Sequence, residues 1–228
     1  MNEKNSKLDL LVVGHAVEDT VFKKYQQPKT SWGGIYNVAN QYSGLAFNRV
    51  DTEWAVEPAA FGRAYIIIDK DNSSKDVTAE LNLKSRIPKY RGACWTHLMY
   101  SNELDSWGEI HKQDGIKSTD LCAGSLPTRL NYFDYVFLSD DEHSPVLESR
   151  ICDEPTFIAH NPDSVSIFKG GEKLFECQTE NKLAKVNPLG AGDAFAASFI
   201  FYHLHIGSLD NDAVKYAMKK TREYLLYN

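Results

Sequence analysis

The sequence has little of what marks secreted or membrane-spanning proteins. Its 228 residues include only four cysteines, and no two of them have C-x-x-C spacing. The longest apolar stretch, AFAASFIFYHLHI, is too short to cross a bilayer and contains two histidines. The chain begins with MNEKNSKLD, which lacks the apolar core of a signal peptide. We therefore expect a cytoplasmic protein with reduced thiols and no membrane partner.

Positive charge is also sparse. The formal net charge is -6, and no basic run is longer than a pair of lysines, so we expect no nucleic-acid partner. A small phosphorylated ligand remains compatible with this balance, because a binding site needs only a local field. The hydrophobic fraction of 43% over this length predicts a folded domain with a substantial core.

Short apolar runs alternate with segments of helical periodicity, which predicts an α/β fold with a mostly parallel central sheet. The first run, Leu8 to Val13, is expected to end as a strand at Gly14. Extra strands near 20–30 and 60–70 do not fit the alternation and suggest a small accessory sheet. The other predicted strands are 93–100, 135–139, 156–161 and a hairpin turning at 170–171, and the predicted helices are 35–47, 191–205 and 210–226.

The segment NPLGAGDAFAAS, residues 187–198, combines two glycines, an acid and the start of an apolar helix. Glycines at 190 and 192 let a ligand approach the backbone, and the first amides of a helix form an anion site. Asp193 would then serve as the acceptor for a proton from a substrate hydroxyl. The same residues also fit ordinary helix capping, so the motif by itself leaves both interpretations open.

The segment NPLGAGDAFAASFI resembles the C-terminal signature of the ribokinase-like, or PfkB, family of carbohydrate kinases. Ser198 departs from the family pattern, which prefers Gly or Ala there. The resemblance implies that the amides of Gly190, Ala191 and Gly192 form an anion hole and that Asp193 is the catalytic base. It also implies a ribokinase-like three-layer fold with a small β lid.

Two further marks of that family concern the substrate site. The early segment VVGHAVEDTV supplies Asp19, which by resemblance binds sugar hydroxyls, although a surface acid in a turn would look the same. The segment WGGIYNVAN supplies Gly33, Gly34 and Asn37 in the place of a Gly-Gly-x-x-x-Asn motif, with Trp32 at the first glycine position. Asn37 is therefore expected to contact the substrate, and its alternative role is a helix cap.

The nucleotide side of the resemblance is weaker. An Asn-x-x-Glu motif that organises magnesium and phosphate becomes SDDE, so Glu142 is retained as a metal-site candidate while Ser139 replaces the asparagine. His160 and Asn161 stand where the family has a nucleotide-contacting Thr-x-Gly, and Asn187 opens the C-terminal signature. These three residues are expected to bind the nucleotide, although a histidine at a strand end is often structural.

Together these marks imply one kinase domain over residues 1–228, with lid strands at about 19–32 and 58–70. The expected activity is transfer of the γ-phosphoryl group of ATP, with Mg²⁺, to a hydroxyl of a sugar or sugar-like substrate. The lid could also pair two copies into a homodimer. The alternatives are a nucleoside or vitamin-like alcohol kinase, or a non-catalytic ligand-binding relative, because the stretch between Phe47 and Trp95 is shorter than the family norm.

Overall fold

A ten-stranded sheet forms the centre of the protein in the computed structural model, which describes residues 7–23, 26–49, 51–68, 75–82, 86–121, 129–139, 155–179, 183, 186 and 189–227. The strands are β1 Leu8–Lys23, β2 Lys29–Gly34, β3 Trp54–Ile68, β4 Lys75–Asn82, β5 Ala93–Met99, β6 Ile116–Asp120, β7 Tyr135–Ser139, β8 Thr156–His160, β9 Ser164–Lys169 and β10 Glu172–Gln178. Their order is β10-β9-β8-β7-β6-β5-β1-β3-β4, and β2 pairs with β1.

The middle of the sheet is parallel. β1 pairs in parallel with β3 and β5, and β5, β6, β7 and β8 continue the parallel order. Antiparallel pairs, β1–β2, β3–β4, β8–β9 and β9–β10, lie outside that run. The predicted α/β class with a mostly parallel sheet is confirmed, and the carboxyl ends of the parallel strands meet at one edge.

The three described helices cover one face of the sheet. They are α1 Ile35–Ala46, α2 Ala191–His205 and α3 Asp210–Tyr227, and their apolar residues pack with Leu10, Trp95 and Phe137 of the strands. Helix α2 is buried along residues 193–201, as its all-round apolar sequence predicts. None of the helices in the described part of the chain is long and apolar enough to cross a membrane.

The opposite face is covered, in the described residues, by three 3₁₀ turns and the segments that join them. The turns are Ser101–Glu103, Ile110–Lys112 and Leu130–Tyr132. Leu104, Ile110 and Leu130 from this layer pack against Leu11 and Leu98 of the strands. Each of these apolar contacts removes surface from water, so the central strands of the sheet are buried on both faces, as parallel sheets generally are.

The prediction that the first strand ends at Gly14 is wrong. β1 continues to Lys23, and Ala59 of β3 is left over as a bulge where Gly14 gives way to His15 in the pairing. Gly14 has a φ of 144°, and a Cβ there would lie 2.7 Å from the carbonyl oxygen of Met99. The glycine therefore permits a close approach to β5 rather than terminating the strand.

Beyond this bulge, β1 and β3 project past the core of the sheet. Their outer halves pair with each other and with β2 and β4, so four strands form an accessory layer in the order β2-β1-β3-β4. These strands overlap the ranges 19–32 and 58–70 expected from the sequence. The description of the chain as a single kinase domain with a lid stays a prediction.

Candidate active site

Helix α2 begins with a glycine in the left-handed conformation. Gly190 has φ 76° and ψ 8°, and no side chain caps the helix. The first helical hydrogen bond runs from the amide of Ala194 to the carbonyl of Gly190, at 2.9 Å. The amides of Ala191, Gly192 and Asp193 therefore precede the helical ladder, at the positive end of the helix dipole. Such a turn can hold an anion.

Asp193 lies in the first turn of α2 and is only 7% exposed. Its Oδ2 accepts a hydrogen bond of 2.8 Å from Nδ2 of Asn37, which is 156 residues earlier in the chain. Asn37 lies in the first turn of α1, whose N-cap is Gly34 without any side-chain cap. Asn37 thus does not serve as a helix cap, and the starts of two helices meet at Asp193.

Asp19 lies on the outer half of β1, close to the pair of glycines. A Cβ on Gly33 would lie 1.8 Å from Oδ2 of Asp19, so the carboxylate rests directly against the glycine backbone. Gly34 has φ 61°, and a Cβ there would lie 2.2 Å from the carbonyl oxygen of His15. Side chains at either position would displace the buried Asp19 carboxylate or the strand beside it.

The accessory layer reaches the start of α2. Leu189, next to Gly190, packs against a small apolar cluster on one face of that layer, formed by Val17, Ala64, Ile66 and Ile68. Because side chains alternate along a strand, Val17 and Asp19 lie on the same face of β1. The face of the accessory layer that carries Asp19 therefore also covers the start of α2.

Tyr224 completes the surroundings of Asp193, and no pattern in the sequence singled it out. Its hydroxyl donates a 2.8 Å hydrogen bond to the carbonyl of Leu189, and a Cβ on Gly190 would lie 2.6 Å from that hydroxyl. Burial, followed by the negative charge of Asp193, raises the pKa of Tyr224. The phenol therefore stays protonated and continues to hold the turn that carries Gly190.

No protein-family model matches the chain, and no curated protein sequence matches it. Adenosine kinase from Sinorhizobium meliloti has a similar structure, with a TM-score of 0.71, 13% identity, and coverage of 96% of this chain and 94% of the other. Ribokinase from Arabidopsis thaliana complexed with ribose and ATP gives a TM-score of 0.64 at 15% identity, covering 96% and 93%.

A pyrophosphate-dependent kinase in the ribokinase family gives a TM-score of 0.69 at 12% identity, with coverage of 95% of both chains. The chain has the ribokinase-like fold. At these identities the likeness concerns the fold alone. The sequence-based expectation of a ribokinase-like fold is confirmed.

Two residues predicted to bind the nucleotide, His160 and Asn161, have different surroundings in the fold. His160, at the end of β8, lies beside the start of α2, because a Cβ on Gly192 would be 3.5 Å from its Cε1. Its ring packs 5.3 Å from that of Phe195. Asn161 closes the β8–β9 turn, where its Oδ1 accepts hydrogen bonds from the amides of Asp163 (2.7 Å) and Ser164 (2.6 Å).

Two predicted residues, Glu142 and Asn187, lie outside the described residues. Ser139, which stands where the family has asparagine, ends β7 and pairs with His160 of β8. In the described part of the chain, no group of three or more His, Cys, Asp or Glu residues could hold a metal ion. The magnesium role of Glu142 and the nucleotide roles of His160, Asn161 and Asn187 stay predictions.

Proposed function

We propose that this protein is an ATP-dependent kinase that phosphorylates a hydroxyl group of a sugar or sugar-like substrate. The observation that carries the proposal is the 2.8 Å hydrogen bond by which Asn37 holds the buried carboxylate of Asp193 at the start of α2. A carboxylate and the first amides of a helix, at the positive end of its dipole, are the two parts that phosphoryl transfer to an alcohol requires.

Asp193 is the proposed general base. The acceptor hydroxyl gives its proton to the Asp193 carboxylate as its oxygen forms a bond to the transferred phosphorus atom. The bond from that phosphorus to the bridging oxygen of the donor breaks, and the electron pair leaves with the nucleoside diphosphate. Asn37 fixes the orientation of the carboxylate through Oδ2, so the base is held in position before the acceptor arrives.

The turn at residues 190–192 is the proposed anion hole. Amides at the start of α2 face a growing negative charge with the helix dipole behind them, and they need no rearrangement to do so. When bound, ATP with Mg²⁺ supplies the phosphoryl group and neutralises its charge. Glu142 is the proposed metal-site residue, and His160, Asn161 and Asn187 are the proposed nucleotide contacts. The position of His160 beside Gly192 supports its part in this assignment.

Asp19 is the proposed anchor for the acceptor, with Gly33, Gly34 and Asn37 around it. Its carboxylate can accept hydrogen bonds from two hydroxyl groups of a polyol. The accessory layer is the proposed lid, and its contact with Leu189 supports this role. A closed lid excludes water, which would otherwise compete with the acceptor for the phosphoryl group. ATP as donor and the unpaired Cys94 and Cys177 fit a cytoplasmic location.

The test is transfer of labelled γ-phosphate to D-ribose, D-fructose, myo-inositol and adenosine. Asp193→Asn should lower the rate of transfer by about a thousandfold or more, while nucleotide binding persists. Asp212→Asn is the matched control, because Asp212 is an acid in the first turn of the neighbouring helix α3. Undiminished transfer by Asp193→Asn would refute the base assignment. Absence of transfer to every acceptor, with ATP or with pyrophosphate as donor, would refute the kinase proposal.

We also propose that two copies pair through the outer face of the lid. Alternation places Glu18, Thr20 and Phe22 of β1 on the face opposite Asp19. Trp32 pairs with Glu18. Four residues of β3, Phe61, Arg63, Tyr65 and Ile67, pair with this same face of β1. Large apolar side chains on it are exposed, with Trp32 at 55% and Ile67 at 57%; the others are Phe22, Phe61 and Tyr65. An apolar patch on one sheet face is typical of a protein interface.

Sedimentation of the protein tests this pairing. The wild type is expected to sediment as a dimer, and Ile67→Glu should shift it to a monomer because a charge would be buried in an apolar contact. Leu209→Glu is the control, since Leu209 is 65% exposed at the turn between α2 and α3. A monomeric wild type, or a dimer that survives Ile67→Glu, would contradict the pairing.

A further inference from the structure

Tyr100 has a strained backbone. Its φ of 53° and ψ of 50° lie in the left-handed region, and among the described residues it is the only non-glycine with positive φ. A bulky residue in this region is rare, because its Cβ crowds the following carbonyl. Such strain persists only where the surrounding structure enforces it, and it concentrates at functional sites.

The turn after Tyr100 enforces the strain. Ser101 is buried, its hydroxyl accepts a hydrogen bond of 2.8 Å from Thr119, and its carbonyl accepts one of 2.7 Å from Nε1 of Trp107. The amide of Glu103 donates to the carbonyl of Tyr100 at 2.9 Å. These bonds hold the turn from β6 and from the layer on that face, and they keep the backbone beside Tyr100 in place.

The turn brings two side chains onto His15. The ring of Tyr100 stacks at 6.4 Å and 30° from the imidazole of His15, and Oε2 of Glu103 lies 3.5 Å from Nδ1 of His15. His15 is fully buried, and neither of its ring nitrogens forms a hydrogen bond with any residue that the structure describes. The side chain of Glu103 is 29% exposed.

Burial decides the protonation state of His15. Burial lowers the pKa of His15, and the opposing effect of Glu103 is smaller. His15 is therefore a neutral imidazole at neutral pH. Oε2 of Glu103 lies against His15, and because the side chain is 29% exposed a ligand hydroxyl can reach it from solvent.

The cluster lies at the edge of the sheet where the proposed active site is found. Tyr100 directly follows β5, which runs parallel to β1, and Val13 pairs with Leu98 just before the two strands reach this edge. By alternation along β1, His15 lies on the same face as Val17 and Asp19. Ligands of parallel α/β sheets bind outside the carboxyl ends of the strands.

We propose that Tyr100 and Glu103 form part of the acceptor site and select acceptors that contain a hydroxylated ring. The Tyr100 ring supplies a flat apolar wall for the C–H face of a sugar or cyclitol ring, and Glu103 accepts a hydrogen bond from one of its hydroxyls. His15 is a positioning residue that backs both side chains. This inference rests on the proposed kinase function, and it narrows the acceptor to a ring over an open-chain polyol.

Steady-state kinetics with Tyr100→Gly and Tyr100→Phe test the inference, with the best ring acceptor of the panel and with glycerol. Tyr100→Gly removes the wall but suits a left-handed backbone. We expect a KM for the ring acceptor that is roughly tenfold higher or more, with little change for glycerol. The KM for ATP should not change, and Tyr100→Phe should restore the KM for the ring acceptor.

Measurements of the Tm distinguish a role of Tyr100 in acceptor binding from a merely structural role. Relief of strain should keep the Tm of Tyr100→Gly within about 4 °C of the wild type. Tyr216→Ala is the control, because Tyr216 of α3 stacks on Phe201 near the end of α2, toward the opposite edge of the sheet; it should lower the Tm without changing the KM for the acceptor. An unchanged acceptor KM in Tyr100→Gly, or a Tm loss like that of Tyr216→Ala, overturns the inference alone. A wild type that transfers phosphate to no acceptor overturns the kinase proposal together with it.

Discussion

The two C-terminal helices begin in similar ways and do different things. Helix α2 has Asp193 in its first turn, and helix α3 has Asp210 and Asp212 in its own. An acid at such a position is favoured by the helix dipole in either case. The sequence pattern alone, an acid after a glycine-containing turn, does not separate the two.

The hydrogen-bond partners of the two acids distinguish Asp193 from Asp210. Asp193 is held by Asn37 at the start of α1, near the carboxyl edge of the sheet and the proposed lid. Asp210 accepts a 2.9 Å hydrogen bond from the hydroxyl of Tyr135, at the beginning of β7, and lies 3.2 Å from Nε2 of His203 near the end of α2. The first acid therefore lies near the carboxyl edge of the sheet, where parallel α/β sheets generally bind ligands, and the second joins a helix, a strand and a turn at the opposite edge.

The difference teaches that the role of an acid at a helix start is decided by the elements that the fold brings to it. The partner of Asp193 is the side-chain amide of Asn37 at the start of another helix, which fixes the orientation of the carboxylate. The partners of Asp210 are a phenol and an imidazole buried in the aromatic cluster of Trp95, Tyr135 and Phe199. Changes on the two sides should therefore have separable effects on catalysis and on stability.

Among changes to the partners of the two acids, the largest effect is expected from Asn37→Ala. Loss of the 2.8 Å hydrogen bond to a charged carboxylate should lower kcat by about 10- to 100-fold, because Asp193 is no longer oriented. The Tm should fall by only about 2–4 °C, which corresponds to loss of one hydrogen bond to a charged group. Steady-state phosphate transfer measures the effect, and Asn211→Ala, an exposed position in the first turn of α3, is the control. Equal kcat values for the two variants would remove Asn37 from the catalytic arrangement.

Most of the parallel core could be predicted from the sequence, because its strands are short apolar runs and its helices have clear periodicity. β6 could not be predicted in this way. Its sequence is IKSTD, and the buried Ser118 and Thr119 make it look like a loop. Ser118 satisfies its hydroxyl with Trp95 and His97, at 2.7 and 2.8 Å, and such long-range polar partners leave no local pattern.

In the candidate site too, local motifs could be recognised in the sequence, whereas contacts between distant segments could not. Gly190 and Asp193 stand together in one short motif, so the motif could be recognised locally. The contact of Asn37 with Asp193 needs two helices to meet, and the contact of Tyr224 with Leu189 needs α3 to fold back along α2. Tyr100 was missed for another reason: its strain is imposed by Thr119 and Trp107, which approach Ser101 only in the folded chain.

A smaller effect, on stability alone, is expected from Tyr135→Phe. Burial, and then the charge of Asp210, raises the pKa of Tyr135, so its hydroxyl is a permanent donor. Its removal should lower the free energy of unfolding by about 1–2 kcal/mol in denaturant titrations and leave kcat unchanged. Tyr132→Phe is the control, because Tyr132 lies in the 3₁₀ turn just before β7. A fall in kcat without a loss of stability would place Tyr135 on the catalytic side of the comparison.

The smallest effect is a pH dependence that belongs to Asp210. Burial would raise its pKa, but the close imidazole of His203 and the hydrogen bond from Tyr135 together outweigh burial, and the pKa of Asp210 is lowered. A carboxyl whose pKa is lower in the folded state stabilises the protein above its unfolded pKa, about 3.9, and loses that contribution as the pH falls through the folded pKa. Below about pH 4, the unfolding free energy of the wild type should therefore fall more steeply than that of Asp210→Asn. Denaturant titrations at a series of pH values measure both curves, and parallel curves would show that Asp210 is not the acid that links this edge of the fold to pH.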